Sequence, residues 1–354
     1  MNQKNANRNM KTKRNGNEKI SSKALISHDF FPESISINEN KVFPMVVMAT
    51  MSSGKSTLIN SLLGQDILPS RNAACTAKKY AILDDDQENS TKIYVTYKNG
   101  NTEVMEENIA EELDKANDDD NVTDILIRGH VKGVLNTDKA LLIIDTPGPN
   151  NSRDESHEQT MWDVIRKIKG GLFLYVLNAT LLETYDDKEL LQTIKDFIKN
   201  NPKVSLLFVI NKVDLLDEER GETVEQLMLN VKKYLTKNGI ENPQIIPVSA
   251  LAASVLKKVM NKEQLTRKEL RDFEMYYDIY QPKDFSLRSF AITDALADQN
   301  KKIEVCGEEY TIGNLNRAIE NTGIKLLEEE IQKAQILSSG VIKNTIKISR
   351  RKRQ

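Results

Sequence analysis

Ala49-Thr50-Met51-Ser52-Ser53-Gly54-Lys55-Ser56-Thr57 is the stretch that decides the fold. A short apolar run, Phe43 to Met48, precedes it and reads as a buried strand. Leu58-Ile59-Asn60-Ser61-Leu62-Leu63-Gly64 follows and reads as a helix closed by a glycine. Strand, loop and helix start are the context that a phosphate-binding loop requires. Such a loop turns its backbone N–H groups inward, and the helix N-terminus adds partial positive charge, so a polyphosphate is held there. Ser52, Ser53, Gly54, Lys55, Ser56 and Thr57 are thus expected around phosphate, Lys55 on the outer phosphates and the Ser56 hydroxyl on Mg²⁺. The first glycine of the usual pattern is Ala49, which serves where the backbone stays in an ordinary region.

Working outward, a chain of 354 residues allows one large or two modest domains, and its charged and hydrophobic fractions are those of a globular protein with a sizeable core. The net charge of -2 gives no global attraction to nucleic acid or membrane. The charge is uneven, however. Lys4, Arg8, Lys11, Lys13, Arg14, Lys19 and Lys23 crowd the N-terminus, and Lys343, Lys347, Arg350, Arg351, Lys352 and Arg353 crowd the C-terminus. Two cysteines, Cys75 and Cys306, imply no disulfide framework and fit a reducing cytosol. No apolar run approaches the length of a membrane span, and the Asn-rich start lacks the apolar core of a signal peptide.

Residues 1 to about 20 are predicted to be disordered, and apolar residues return between Ile20 and Asn40 in a segment expected to pack beside the main domain. Residues 65–78 read as an irregular loop. Tyr80 to Leu83, Lys92 to Lys98, Thr102 to Met105 and Thr123 to Arg128 read as strands, with a hairpin at Asn99-Gly100-Asn101. Asp84-Asp85-Asp86 and Asp118-Asp119-Asp120 read as solvated loop tips rather than metal clusters. From Ala140 the pattern alternates. Strands are expected over Ala140 to Ile144, Gly171 to Leu177, Val204 to Ile210 and Gln244 to Val248, and helices over Glu158 to Lys169, Asp187 to Asn200 and Thr223 to Asn238. That alternation predicts an α/β fold with a mostly parallel central sheet and helices on both faces. Residues 250 to 300 read as helical and charged, and Ala318 to Leu337 as one last amphipathic helix.

Three further stretches complete a constellation. Leu141-Leu142-Ile143-Ile144-Asp145-Thr146-Pro147-Gly148 is a strand ending in Asp-x-x-Gly, with Asp145 able to hold Mg²⁺ and the Gly148 N–H able to face a γ-phosphate. Phe208-Val209-Ile210-Asn211-Lys212-Val213-Asp214 ends in Asn-Lys-x-Asp. The Asp214 carboxylate accepts the donor pair that guanine offers and adenine lacks, and the Lys212 stem lies over the base. Ile245 to Ala250 is another strand end, whose Ser249 and Ala250 backbone meets the guanine carbonyl. Each is weak alone; together, in this order and each at a strand end, they point to GTP at the carboxyl edge of the sheet. Cys75, His28, His130 and His157 read as ordinary loop or surface residues, zinc has no case, and Trp162 reads as a helix-to-sheet packing residue.

These residues resemble a P-loop GTPase of the dynamin superfamily, bacterial branch. Ser52 to Thr57 resembles that family's phosphate loop, Asn72 to Thr76 its first switch, and Asp145 to Ser152 its second. Tyr175 to Thr180, followed by Asp186-Asp187, is also similar to it. The resemblance implies that Thr76 joins Ser56 and Asp145 on Mg²⁺, and that Ser52, Lys55, Thr76 and Gly148 act in hydrolysis of GTP to GDP and phosphate. It spans about residues 41 to 260, and Thr322-Gly323-Ile324 resembles the start of the helix that leaves the family's GTPase domain. The organisation this implies is a basic tail and packing segment over 1–40, a GTPase domain over 41–312, and a C-terminal amphipathic helix and basic tail over 313–354.

Departures are equally informative. One helix of about twenty residues, roughly 30 Å long, cannot build the long helical stalk of dynamins. Met51 stands where many dynamins have a water-positioning glutamine, Pro149 where small GTPases have theirs, and Asn151 where some members have lysine. Arg153 is the nearest candidate for a cation supplied within a dimer. The expected output is membrane remodelling or nucleotide-dependent assembly by a cytoplasmic protein, peripheral at the inner face of the membrane through its basic termini. A G-domain homodimer or a dynamin-like partner is expected, and no specific nucleic acid. Two alternatives stay open: a regulatory module docking on a stalk-bearing partner, and a ribosome- or RNA-associated GTPase.

Overall fold

The structure is a computed structural model that describes residues 24–68, 78–85, 90–129, 138–146, 155–282, 302–305 and 308–338, with backbone only at 155–158, 218, 302–304 and 308. Its centre is β1 (Val42–Ala49), buried along its whole length. Side chains alternate across a strand, and β1 accordingly feeds two cores: Phe43, Met45, Val47 and Ala49 on one face, Val42, Val46 and Met48 on the other. The unbroken apolar run follows from burial on both faces.

The remaining strands are β2 (Lys79–Asp84), β3 (Lys92–Tyr97), β4 (Thr102–Met105), β5 (Val122–Gly129), β6 (Ala140–Asp145), β7 (Gly171–Asn178), β8 (Val204–Asn211) and β9 (Ile245–Val248). They form one nine-stranded sheet in the order β4-β3-β5-β2-β6-β1-β7-β8-β9. From β6 through β1 and β7 to β9 every pairing is parallel. The direction reverses between β6 and β2; β2 and β5 are parallel to each other, and β3 and β4 finish that edge as an antiparallel hairpin. The sheet is therefore mixed, with its parallel half carrying the motif-bearing strand ends.

Helices α1 (Lys55–Leu63), α6 (Ala250–Met260), α7 (Arg267–Tyr280), α8 (Ile312–Asn321) and α9 (Ile324–Ser338) cover one face. Helices α3 (Glu155–Arg166), α4 (Tyr185–Asn200) and α5 (Val224–Lys237) cover the other, together with Ile26, Phe30, Phe31 and Ile35 of the N-terminal segment. Ile26 bridges Ile168 as a single antiparallel rung, so this segment packs as its apolar residues predict. Trp162 packs against the same core.

Three readings change. The single helix expected from Ala318 to Leu337 is two, α8 and α9, broken at Thr322-Gly323. Gly323 has φ +79° and a Cβ there would sit 2.1 Å from the Pro247 carbonyl oxygen, so the chain turns where only glycine fits. The apolar face is as expected: Ile319, Ile324, Leu327 and Ile331 all reach the core. Second, Asp84 and Asp85 are no solvated tip: Asp84 is fully buried at the end of β2, and Asp85 accepts from Arg128 at 2.6 Å. Asp118, the last residue of the helix Ile109–Asp118, and Asp120 are exposed, while Asp119 is half-buried and accepts from the Asn121 N–H at 2.8 Å. Third, α2 (Ile109–Asp118) and the hairpin β10 (Lys302–Val305)–β11 (Glu308–Thr311) were not anticipated. The signal for α2 was present, with Ile109, Leu113 and Ala116 at helical spacing. The expected disordered tail (1 to about 20), the segments around Cys75, His130 and Cys306, and the basic C-terminus lie outside the described residues.

A buried ion pair joins the first core layer. The Lys257 ammonium on α6 donates to Glu328 on α9 at 2.6 Å and to the Ser61 carbonyl of α1 at 2.5 Å. Burial holds Lys257 below the usual lysine range, and the Glu328 carboxylate opposes that shift.

Candidate functional site

β1, β6, β7, β8 and β9 all end on one edge, and their registers bring Val47 beside Asp145, Asn178 beside Asn211, and Asn211 beside Val248. The connection from β6 through α3 to β7 passes over β1, which makes the end of β1 the switch point where ligands bind in open sheets.

The loop after β1 is shaped by two left-handed residues, Ser52 at φ +61° and Gly54 at φ +81°. A Cβ on Gly54 would fall 2.5 Å from Asn211 Nδ2, so glycine is required by close approach as well as by conformation. For N–H groups to face inward, the loop's carbonyls must be turned out and satisfied. Asn178 Nδ2 donates to Ser52 O at 3.4 Å, and Asn211 Nδ2 to Ser53 O at 3.0 Å and Gly54 O at 3.4 Å. Helix α1 then starts at Lys55 with no side-chain cap, so Lys55, Ser56 and Thr57 present its N-terminal end to the site. Ser53 is buried, and Met51 is 54% exposed.

Asn211 is shared. Its Oδ1 accepts from the Ala250 N–H at 3.1 Å, tying the loop after β9 to the loop after β1. Lys212 follows at φ +68°, turning the chain into a tight 3-10 turn that carries Asp214. The Ser249 hydroxyl donates to Asp214 Oδ1 at 2.6 Å and accepts from the Ala252 N–H at 3.3 Å as cap of α6. A carboxylate has about four lone-pair positions, so Asp214 keeps acceptor capacity for a two-donor ligand edge. Behind it, α7 supplies two buried phenols. Burial and then the Asp214 and Asp272 carboxylates push Tyr276 up; burial pushes Tyr280 up, against a hydrogen bond with Ser249.

At the phosphate end, Lys55 Nζ and Asp145 form a short, largely buried ion pair. Thr146 anchors the chain after Asp145 through its hydroxyl, which donates to Val47 O at 2.9 Å. Ser56 and Asp145 offer the hard oxygen donors that Mg²⁺ takes alongside phosphate and water, so the residues present fit that ion. Among the described residues there is no cluster of three or more His, Cys, Asp or Glu side chains poised for a metal of their own. Thr76, Gly148, Pro149, Asn151 and Arg153 lie outside the described residues, as does the side chain of His157. The structure thus brings together Ser52 to Thr57, Asp145, Asn211, Lys212, Asp214, Ser249 and Ala250. Sequence reading missed the roles of Thr50, Asn178, Asp187, Tyr276 and Tyr280, whose contacts are made across long sequence separations.

Fold and site together define a P-loop GTPase domain. Residues 45–213 match the model of the Dynamin family. An uncharacterized protein in the xynA 3' region of Caldicellulosiruptor sp. (strain Rt8B.4) is 27% identical over 326 residues, 88% of this chain and 73% of its own length. GTPase Era of Borreliella burgdorferi (strain ZS7) is 27% identical over 185 residues, 50% of this chain and 57% of its own. Dynamin-like protein 1 of Campylobacter jejuni (serotype O:23/36, strain 81-176) is 23% identical over 283 residues, 67% of this chain and 37% of its own. By this similarity residues 45–213 carry a dynamin-like GTPase domain, and the chain spans about a third to three quarters of the length of these relatives. Among the described residues no helix is long and apolar enough to cross a membrane.

Proposed function

We propose that the chain binds GTP with Mg²⁺ at this edge and hydrolyses it by in-line attack of water, and that turnover drives assembly at an anionic membrane surface. The observation that carries the nucleotide reading is the braced base end: Asp214 oriented by Ser249 at 2.6 Å, with Asn211 spanning two loops. In this reading Asp214 accepts two donors from guanine, the Lys212 stem covers the base, and the Ser249 and Ala250 backbone meets its carbonyl. The loop amides of Ser52 to Gly54, with Ser56 and Thr57 at the start of α1, enclose the phosphates, and Lys55 reaches the outer ones. Ser56, Asp145 and Thr76 would hold Mg²⁺, which would supply charge neutralisation for the phosphates. The Gly148 N–H is assigned to the γ-phosphate from its place in the Asp-x-x-Gly motif.

Positioning of the attacking water is the weak part of this machinery. Met51 carries a thioether that orients water poorly and is directed to solvent at 54% exposure, and Pro149 has no donor. Ser52 is left as the loop residue nearest that task. Hydrolysis by the isolated monomer is therefore slow, and facing sites in a homodimer or a dynamin-like partner speed it, with Arg153 supplying the cation. Specific activity then rises with protein concentration or with the partner, and R153A removes much of that rise; fast turnover independent of concentration in a monomer refutes the assembly step and leaves GTP binding standing. The basic termini place the protein at the cytoplasmic face of the membrane, each Lys or Arg contributing about 1 kcal/mol near an anionic surface. Co-sedimentation with anionic liposomes falls steeply with salt and disappears without both tails; binding indifferent to salt contradicts electrostatic attachment.

A further inference from the structure

Helix α4 buries four positions at helical spacing, Asp187, Leu190, Leu191 and Ile194. Three are aliphatic, as a face packed on a sheet requires. The fourth is a carboxylate with 1% of its surface exposed. Packing alone selects an apolar residue there, because a buried carboxylate is costly unless hydrogen bonds offset its lost hydration.

The partner of that carboxylate is the phosphate loop. Thr50, the first residue after β1, donates its hydroxyl to Asp187 Oδ1 at 2.9 Å across 137 residues of sequence. Ser53 Oγ lies 3.3 Å from the same Thr50 oxygen. A hydroxyl has one proton; Thr50 gives its own to Asp187, so in the bond between Ser53 and Thr50 it is Ser53 that donates. The anchor itself is rigid. The Asp187 N–H donates to the Thr184 cap at 3.1 Å, its carbonyl accepts from the buried Tyr175 hydroxyl at 3.1 Å, and the first turn of α4 favours negative charge. A second phenol sharpens the point. Tyr234 is pushed up to about 12, first by burial and then by the charges of Asp187 and Glu183, yet among the described residues its buried hydroxyl has no hydrogen-bond partner. The Asp187 carboxylate is aimed at the loop and not at this phenol.

We infer that Thr50 and Asp187 are a positioning pair that sets the phosphate loop, so that affinity for the phosphate chain, and not for the base, runs through α4. The inference rests on the GTP reading above. Between Thr50 and Gly54 the chain passes through the left-handed Ser52, a conformation that persists only when its surroundings impose it. Asn178 and Asn211 hold the carbonyls of that turn, and Thr50 holds its entry.

The test measures affinity for GTP, GDP and xanthosine triphosphate with the thermal midpoint of each variant. Thr50→Val, which keeps the shape and removes the hydroxyl, weakens GTP and GDP by about tenfold each, the scale of a lost hydrogen bond to a charged group. The ratio of GTP to xanthosine triphosphate stays as in the parent. Thr50→Ser restores most of the affinity, and Tyr234→Phe, which removes a hydroxyl that bonds nothing described, leaves it unchanged. A Thr50→Val protein that binds as the parent does while melting lower, or a Thr50→Ser protein as weak as Thr50→Val, overturns the pair and spares the GTP site. A parent protein that shows no preference for GTP over ATP overturns the reading beneath it as well.

Discussion

At the base end of the site, Asp214 already holds the Ser249 hydroxyl at 2.6 Å, and Asn211 already spans the loops after β1 and β9. At the other end, Lys55 and Asp145, the two charges that the proposed function assigns to phosphate and metal, are bonded to each other. In the proposed function the first arrangement needs no change to receive a base, since its hydrogen bonds are already made. The second must part. Taking Lys55 alone for a phosphate leaves Asp145 largely buried and unpaired, and taking Asp145 alone for a cation leaves Lys55 in the same state, both of which are strongly unfavourable. An anion and a cation arriving together satisfy both. In the function proposed above, the difference gives the site two modes: the base by pre-arranged geometry, and the phosphates with Mg²⁺ by exchange of an internal ion pair.

The largest expected effect breaks the phosphate end. Lys55→Ala removes a charge-assisted contact and strands Asp145, so GTP affinity falls by about a hundredfold or more in a calorimetric titration; unchanged affinity overturns the phosphate-loop assignment. Next, Asp214→Asn inverts the base end. It weakens GTP by about ten- to a hundredfold and favours xanthosine triphosphate, whose added carbonyl takes the new amide donor. A variant that still prefers GTP removes the guanine assignment. The exchange argument itself is tested by chelating Mg²⁺: GTP weakens by about tenfold while guanosine, which lacks phosphate, is unaffected. Equal loss for both ligands contradicts the two-mode description. Smallest is Tyr276→Phe, which removes one phenol beside Asp214 and lowers the preference for GTP over inosine triphosphate by about threefold; no change assigns Tyr276 to packing alone.

Much of this was legible in the residues themselves. β1 and β7 are buried on both faces, as is β8 from Leu207 onward, so these runs are apolar without alternation and end where polar motif residues begin. The candidate base end could be read ahead of the fold because Asn211 and Asp214 sit in one short motif. What stayed hidden depends on distance along the chain. The bond from Thr50 to Asp187 joins residues in separate motifs, and neither residue is unusual in its own neighbourhood. Tyr276 and Tyr280 look like the apolar face of an ordinary helix until α7 is laid behind Ser249. The break between α8 and α9 was masked by a continuous apolar face, and only the approach of Gly323 to Pro247 explains it. The reversal between β6 and β2 leaves no periodic trace, since strands of either direction share a repeat of two.

The joint at Thr322-Gly323 has a consequence for how this molecule comes apart. The Ser249 amide donates to the Thr322 carbonyl at 3.0 Å, one residue from the glycine seated on Pro247. The loop after β9 is therefore not sealed until the last two described helices have docked, although they lie far from it in sequence. In amide hydrogen exchange, Ser249 should keep time with α8 and α9 rather than with β8 beside it. The clock of that single amide reports whether the carboxyl-terminal helices are seated.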